Sequence, residues 1–263
     1  MTQSTRSLND GVSSSSSLAS FRRISSRALD VVLPPRCISC GDVVEGIHAL
    51  CAGCWEKVDF ICDPLCQCCG KPFEFDPGMD AVCGVCLRKQ PIFERARSAV
   101  VYNENSRRFI LSYKHGDRMD MVPAMVLWLA GAGGELIDDA EIIAPVPLHW
   151  TRYLSRRFNQ SAELARWISN GSDTVFAPDL LTRRKRTASQ AGLNAKQRAK
   201  NVRGAFAVKS GWIENVTGKR VLLIDDVLTT GATLNACAGI LLWAGASAVD
   251  VLTVARVVRA ERQ

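Results

Sequence analysis

The chain has 263 residues, of which 47% are hydrophobic, and a formal charge of +7. This length allows one or two domains with an ordinary globular core, and the mild basic excess suits an anionic ligand, nucleic acid included. An arginine-rich tail and basic loops would explain the same charge. The N-terminus lacks a hydrophobic signal core, and Asn235, Gly245 and Asp250 interrupt the apolar stretch 232–255. We therefore expect a cytoplasmic protein without membrane insertion.

The first 28 residues are rich in serine and poor in large apolar side chains. Such a segment cannot bury enough surface to offset the entropy of ordering, so we expect a disordered arm over 1–28. The composition changes again near Pro91, where the cysteine-rich part ends. The predicted organisation is an arm at 1–28, a cysteine-rich module at 29–91 and an α/β domain at 92–259.

The cysteine-rich module contains four C-x-x-C pairs. They are Cys37/Cys40, Cys51/Cys54, Cys66/Cys69 and Cys83/Cys86. Two pairs supply the four thiolates that a closed, structural zinc site prefers, so the module predicts two zinc ribbons in tandem. A disulfide framework is the alternative, but eleven cysteines are an odd number and no secretion signal is visible. Cys62 and Cys68 are left over. Gly41 and Gly70 follow two of the pairs, where a positive φ is often needed.

The remainder alternates apolar strands with helical stretches, which is typical of a parallel sheet with flanking helices. We expect strands at 98–102, 141–146, 221–224 and 249–254, and helices at 107–113, 122–129 and 159–168. A further helix follows residue 233, because Leu234, Cys237, Ala238, Leu241 and Leu242 share one helical face. Asn159 is a candidate N-cap for the helix that follows it.

The segment VLLIDDVLTTGAT (221–233) carries the clearest chemistry. Asp225 and Asp226 follow a buried strand, and a hydroxyl-rich turn with a glycine precedes the helix. A helix N-terminus with Thr229, Thr230, Gly231, Ala232 and Thr233 suits a phosphate, whereas two carboxylates suit sugar hydroxyls or hydrated Mg²⁺. The segment matches neither a Walker A loop nor the G-x-G-x-x-G turn. An ordinary strand–turn–helix with caps is the alternative.

This segment resembles the phosphoribosyl diphosphate (PRPP) loop of type I phosphoribosyltransferases. Together with the cysteine pairs, the chain resembles the ComF family, which joins a cysteine-rich ribbon to a phosphoribosyltransferase-like domain. Three further segments carry the resemblance: 112–117 (SYKHGD), 144–165 and 181–206. In the second of these the family usually has Arg-Gly-Phe-Asn-Gln, and here Arg157 replaces the glycine.

The resemblance implies roles for particular residues. Asp225 and Asp226 would hold the ribose hydroxyls and support Mg²⁺, and 229–233 would hold the 5′-phosphate. Further residues would face the diphosphate or close over it: Lys114, Pro147, Arg156, Arg157, Arg186, Gln190 and Arg198. For the basic ones a solvated charged surface is the alternative.

Two functions remain open at the level of sequence. The chain either transfers ribose 5-phosphate from PRPP to an unknown acceptor, or handles single-stranded DNA during DNA uptake, with PRPP as a ligand instead of a substrate. Basic loops suit nucleic acid, and Trp55, Trp150 and Phe158 are candidate platforms for bases, although core packing explains such residues equally. A purely structural zinc protein is the third alternative. The acceptor and the oligomeric state stay open.

Overall fold

A computed structural model of the chain describes residues 34–46, 50–115, 118–148, 159–184, 195–202 and 204–258. Backbone alone is described for residues 115, 195, 196 and 199. The chain divides into two compact units, 1–51 and 52–263. The arm predicted at 1–28 lies outside the described residues, and the predicted domain boundaries stay predictions.

The first unit contains the turn between the first cysteine pair. A backbone bridge joins Arg36 to Val43, and the amide of Gly41 donates to the carbonyl of Cys37 at 3.0 Å. Gly41 has φ +85°, which confirms the positive φ expected after this pair. The tight turn brings backbone N–H groups close to the sulfur of Cys37, as a metal-binding knuckle requires.

The second unit holds the α/β domain and the later cysteine pairs. Its strands are β1 (Ala96–Val101), β2 (Ile142–Pro145), β3 (Val175–Phe176), β4 (Leu181–Arg183), β5 (Phe206–Val208), β6 (Arg220–Leu228) and β7 (Ala248–Arg256). Its helices are α1 (Ala52–Trp55), α2 (Gly84–Arg88), α3 (Glu104–His115), α4 (Val122–Asp138), α5 (Gln160–Asn170), α6 (Ala195–Val202), α7 (Ile213–Val216) and α8 (Ala232–Trp243). Short 3-10 turns precede α4 and α7.

Five strands form a parallel sheet in the order β1-β7-β6-β2-β3, and β4 and β5 form an antiparallel pair. Alternate residues of the central strands point to opposite faces. Val221, Leu223 and Val251 belong to one apolar cluster, to which α8 contributes Leu234 and Leu241. Helices α4 and α5 pack on β1, β2, β6 and β7. Because both faces of β6 and β7 are covered, these strands are nearly continuous apolar runs.

Strand β6 is longer than the sequence predicted, and this corrects the expected strand 221–224. Its pairing with β2 ends where Ile224 lies opposite Pro145, but its pairing with β7 continues through Leu228 opposite Arg256. Asp225 and Asp226 therefore lie within the strand instead of after it. The neighbouring ladder keeps the backbone extended past the polar residues, which local composition alone does not reveal. On the β2 side this part of β6 projects beyond its neighbour.

The helical stretch Met119–Asp138 is long and apolar enough, by length and composition alone, to cross a membrane. Helix α4, which makes up most of this stretch, packs against β1, β7 and α5. Buried residues such as Met125, Leu129 and Leu136 supply the core on that face of the sheet, which accounts for the apolar composition. The other apolar stretch, 232–255, is divided into α8 and β7 by Gly245, at φ +100°. A cytoplasmic location stays a prediction.

Candidate functional site: a cysteine ribbon and an acidic strand end

The second set of cysteines forms a compact sulfur cluster. The Sγ atoms of Cys66, Cys69, Cys83 and Cys86 all lie within 4.8 Å of one another, and the amide of Cys83 donates to Cys66 Sγ at 3.2 Å. Hydrogen bonding with Cys69 lowers the pKa of Cys66 to about 4, so that this sulfur is a thiolate at neutral pH. Four sulfur donors in this compact arrangement suit the tetrahedral preference of Zn²⁺.

In the first unit, Cys37, Cys40 and Cys51 have sulfur atoms within the same mutual limit of 4.8 Å. The amide of Cys51 donates to Cys37 Sγ at 3.3 Å. Burial opposes ionisation, but backbone hydrogen bonds, among them those from Cys40 and Cys51, lower the pKa of Cys37 to about 6. The fourth cysteine of this predicted set, Cys54, belongs to helix α1 at the start of the second unit.

The turn that contains Cys66 and Cys69, called here the second cysteine knuckle, packs directly on the edge of the sheet. The amide of Ala96 in β1 donates to the carbonyl of Cys68 at 2.9 Å, and Arg97 Nη1 donates to the carbonyl of Gln67 at 3.2 Å. Gly70 has φ +65°, as expected, and a Cβ there would lie 2.3 Å from the carbonyl oxygen of Ala96. Only glycine fits at this approach, so the ribbon and the sheet form one packed structure here.

The acidic pair lies at the carboxyl end of β6, where both residues are half-buried. Oδ1 of Asp225 accepts hydrogen bonds from Ser161 Oγ at 3.1 Å and from the amide of Asp226 at 2.9 Å. Oδ2 of Asp226 forms an ion pair with Lys114 Nζ at 3.0 Å. Helices α3 and α5 thus hold the two carboxylates side by side at the sheet edge where open α/β folds bind ligands.

The negative charge of Asp225 is only partly offset by its described neighbours. Desolvation, followed by repulsion from Asp226, raises the pKa of Asp225 to about 7, against an ordinary value of 3.8. Lys114 and Ser161 act in the opposite direction without cancelling these effects. A carboxyl group whose charge is under-compensated at a sheet edge is a candidate for contact with a cation or with hydroxyl donors. Asp225 and Asp226 therefore fit hydrated Mg²⁺ or ribose hydroxyls in their donor chemistry.

The loop after β6 turns sharply into helix α8. Gly231 has φ +70° and occupies the N-cap position of α8, where its carbonyl accepts hydrogen bonds from Asn235. Thr229 Oγ1 accepts a hydrogen bond from Arg198 Nη1 at 2.7 Å. The buried hydroxyl of Thr230 has no hydrogen-bond partner among the described residues. A buried unpaired hydroxyl beside a helix N-terminus is suited to a ligand oxygen.

The other predicted ligand-binding residues divide into two groups. Lys114 forms an ion pair with Asp226, next to the acidic pair. Arg198 donates a hydrogen bond to Thr229, in the loop after β6. Pro147 follows strand β2, in the segment that Asn159 anchors by donating from Nδ2 to the carbonyl of Val146. Four predicted residues lie outside the described residues: Arg156, Arg157, Arg186 and Gln190.

A groove of about 1070 Å³ runs between the second cysteine knuckle and the loop after β6. The loop contributes Leu228 to Ala232, and 91–93 contribute an apolar wall. No carboxylate occurs among its described lining residues. Five cationic side chains line the groove: Lys71, Arg88, Lys89, Lys200 and Arg256. This charge pattern suits an anionic ligand larger than a single phosphate.

Sequence reasoning missed two residues at this site, Ser161 and Arg256. Ser161 donates to Asp225, and Asn159 accepts the amide of Ser161, which confirms that Asn159 is an N-cap. Arg256, the last residue of β7, donates to the carbonyl and sulfur of Cys69. No local pattern identifies Ser161 or Arg256, since their partners lie 64 and 187 residues away in the chain.

The fold and the site define a phosphoribosyltransferase-type domain joined to a double zinc ribbon. The double zinc ribbon domain family matches residues 28–88, and the phosphoribosyl transferase domain family matches residues 154–262. These matches confirm the predicted fold class and assign the cysteine sets to zinc ribbons.

Relatives extend over most of the chain. Competence protein F of Haemophilus influenzae is 31% identical over 227 residues, which cover 84% of this chain and 96% of that protein. The DNA utilization protein YhgH of Escherichia coli is 31% identical over 199 residues, 73% of this chain and 84% of that protein. The chain therefore belongs to the competence protein F (ComF) family. An orotate phosphoribosyltransferase structure from Aeropyrum pernix aligns with 60% of this chain and 80% of its own, at 18% identity and a TM-score of 0.32.

Proposed function

We propose that the chain binds PRPP with Mg²⁺ at the junction of β6 and α8, and that the bound PRPP donates its ribose 5-phosphate to an acceptor. The observation that carries this proposal is the juxtaposition of an under-compensated acidic pair with a helix N-terminus, where the buried hydroxyl of Thr230 has no hydrogen-bond partner in the described part of the chain. Carboxylates suit the ribose hydroxyls, and the helix start suits the phosphate.

In the proposed reaction the bond between C1 of ribose and the diphosphate oxygen breaks, and the diphosphate leaves with the electron pair. A nucleophilic atom of the acceptor forms the new bond to C1 and gives up a proton. Asp225 and Asp226 would hold hydrated Mg²⁺, whose charge would offset the negative charge on the leaving diphosphate. Asp225 and Asp226 orient the ribose, Thr229 to Thr233 hold the 5′-phosphate, and Lys114 forms an ion pair with Asp226 beside them.

Calorimetry with PRPP and Mg²⁺ tests the proposal. We expect saturable binding to the wild type and loss of binding in Asp225→Ala/Asp226→Ala. The matched control is Asp138→Ala/Asp139→Ala, a second pair of adjacent aspartates, located at the end of α4. Equal affinity in the wild type and the Asp225/Asp226 variant would refute the assignment. Diphosphate release, measured with candidate acceptors, then separates a transferase from a protein that only binds PRPP.

A second function, binding of single-stranded DNA, is favoured by the basic groove. Its cations are unaccompanied by carboxylates in the described lining, and Arg88 and Lys89 are exposed. The relatives named for competence and DNA utilization support the same direction. The groove adjoins the PRPP loop, so this function and PRPP binding are compatible.

A binding shift with a short single strand, weaker at higher salt, is the expected result. Arg88→Glu/Lys89→Glu should abolish the shift at moderate salt. Lys209→Glu/Lys219→Glu makes the same change in net charge away from the groove and should retain most of the affinity. Equal loss in both variants would show a non-specific charge effect and would eliminate the groove as the DNA site.

A further inference from the structure

The second cysteine set and the PRPP loop are connected through one buried arginine. Arg256 ends strand β7 and lies opposite Leu228, the residue immediately before Thr229. Only 8% of Arg256 is exposed. Its Nη1 donates to the carbonyl of Cys69, and its Nη2 lies 3.7 Å from Cys69 Sγ. The guanidinium thus lies against a metal-binding sulfur, while its backbone pairs with the start of the loop.

The backbone around Arg256 is fully engaged. Its carbonyl accepts the amide of Tyr102 at 2.7 Å, and the amide of Val257 donates to the carbonyl of Leu228 at 2.9 Å. A displacement of Arg256 would therefore move the ladder that fixes Leu228. At the side chain, the Cys69 carbonyl and sulfur hold the guanidinium against such a displacement, and its Nε has no partner among the described residues.

The chemistry of the cysteine set strengthens this hold. Four thiolates around Zn²⁺ carry a net negative charge, and a guanidinium hydrogen-bonded to one sulfur offsets part of it. Loss of the metal would change both the charge and the position of Cys69. The bonds from Arg256 would then weaken at the same time.

We infer that Arg256 is a positioning residue that couples metal occupancy of the second cysteine set to the order of the PRPP loop. The coupling is reciprocal, since a ligand that orders the loop must also stabilise the metal-bound knuckle. The functional consequence rests on the proposed PRPP site, but the structural coupling does not require any ligand.

Hydrogen–deuterium exchange of the peptide containing 228–233 measures the order of the loop directly. Arg256→Gln should raise its exchange rate about tenfold, which corresponds to the loss of one charge-assisted hydrogen-bonded contact. Zinc content should stay close to that of the wild type. Arg256→Lys keeps the charge with fewer donors and should raise the rate by a smaller factor. If circular dichroism shows that Arg256→Gln does not fold, the exchange rate of Arg256→Lys tests the coupling in its place.

Arg97→Gln is the matched control. Like Arg256, Arg97 is 8% exposed, lies on a strand and donates to a backbone carbonyl of the turn between Cys66 and Cys69, that of Gln67. Arg97 pairs with Leu252, however, and not with a residue next to the loop. Exchange of 228–233 should be unchanged in this variant. An equal increase in the Arg97 and Arg256 variants would mean general loosening of the ribbon and would overturn the inference.

A double-variant cycle separates coupling from simple support. Cys66→Ser, which disrupts the second cysteine set, should raise exchange of the loop in the wild-type background and add little in the Arg256→Gln background. Additive effects would overturn the inference, as would wild-type exchange in both Arg256 variants.

Calorimetry completes the test. Arg256→Gln should weaken PRPP–Mg²⁺ binding about fivefold, the lower end of typical coupling between sites. If the wild type fails to bind PRPP, the proposed function is wrong, and the exchange data still decide the coupling. If PRPP binds and Arg256→Gln has wild-type affinity, coupling to the ligand site is refuted.

Discussion

The two ends of strands β6 and β7 hold carboxylates in opposite electrostatic states. At the amino end, Asp250 is 1% exposed and accepts hydrogen bonds from Arg95 Nη2 at 2.7 Å and Arg220 Nη1 at 2.9 Å. The hydrogen bond with Asp250 raises the pKa of Arg95. At the carboxyl end, Asp225 and Asp226 share one lysine, and the pKa of Asp225 is raised to about 7.

This difference distinguishes a structural carboxylate from one that is available to a ligand. Two arginines satisfy the charge of Asp250, so additional cations would gain little there. The pair at the other end has more negative charge than its partners among the described residues offset, and its residues keep partial contact with solvent. The same residue type is therefore satisfied by arginines at one edge and, at the other, has the charge that the proposed ligand would use.

The largest expected effect is on stability at the amino end. Asp250→Ala leaves Arg95 and Arg220 largely withdrawn from water without their carboxylate, and should lower the free energy of unfolding by about 3 kcal/mol. Urea unfolding measures this loss. Asp139, which also pairs with Arg95 but is 53% exposed, supplies the control: Asp139→Ala should cost less than about 1 kcal/mol. Similar losses in the two variants would contradict the assignment of Asp250 as the structural partner.

At the carboxyl end, the affinity for PRPP–Mg²⁺ should depend on pH. Binding requires the charged form of Asp225, so below pH 7 the affinity should fall about tenfold for each pH unit, and above pH 7 it should level off. Calorimetry on both sides of pH 7 measures the profile. Asp225→Asn should remove the dependence along with most of the affinity. A flat wild-type profile would show that Asp225 is already ionised.

The same pKa has the opposite consequence for folding. Because the pKa of Asp225 in the folded chain exceeds its ordinary value, its contribution to stability is fully present below about pH 4. It is lost as the pH rises through 7.

Removal of Lys114 tests how far this lysine offsets the charge of Asp225 and Asp226. Lys114→Met deletes the cation beside Asp226, which should raise the pKa of Asp225 further and lower the PRPP–Mg²⁺ affinity at pH 7 about tenfold. The midpoint of the pH profile should move upward. Lys219→Met removes a lysine that pairs with Glu141 at the opposite edge and should leave affinity and midpoint unchanged. An unchanged midpoint in Lys114→Met would argue against electrostatic control by this lysine.

The smallest effect concerns Ser161. Ser161→Ala removes a neutral donor to Asp225 and should weaken PRPP–Mg²⁺ binding about fivefold, in proportion to one ordinary hydrogen bond. Ser172→Ala removes a hydroxyl that donates to the carbonyl of Ile168, just beyond the far end of α5. Its binding should match that of the wild type. Identical affinity in both variants would limit Ser161 to a structural role.

Much of the fold follows from local patterns in the chain. Strands β2, β6 and β7 are apolar runs, and the helix after Gly231 shows its buried face at Leu234, Cys237, Ala238 and Leu241, as expected. Leu242, which was also expected on that face, is exposed, so this part of the prediction is wrong. Strands β3, β4 and β5 were not expected, because two or three residues are too few to show a period. Helix α4 continues to Asp138, beyond the predicted end at 129, with a kink at Gly133, where the backbone leaves helical geometry (φ −152°, ψ 40°). Packing on β1 and β7 holds the helix against the sheet.

Chemistry that depends on near neighbours could be predicted from the chain alone: cysteines paired at metal-binding spacing, and an acidic doublet a few residues before a helix start. Backbone geometry over a dozen residues fixes such groups. The charge balance of each carboxylate, the ion pair between Lys114 and Asp226, and the contact of Arg256 with Cys69 became visible in the folded chain. Those partners come from distant segments, and packing of the sheet and its helices is what brings them within reach.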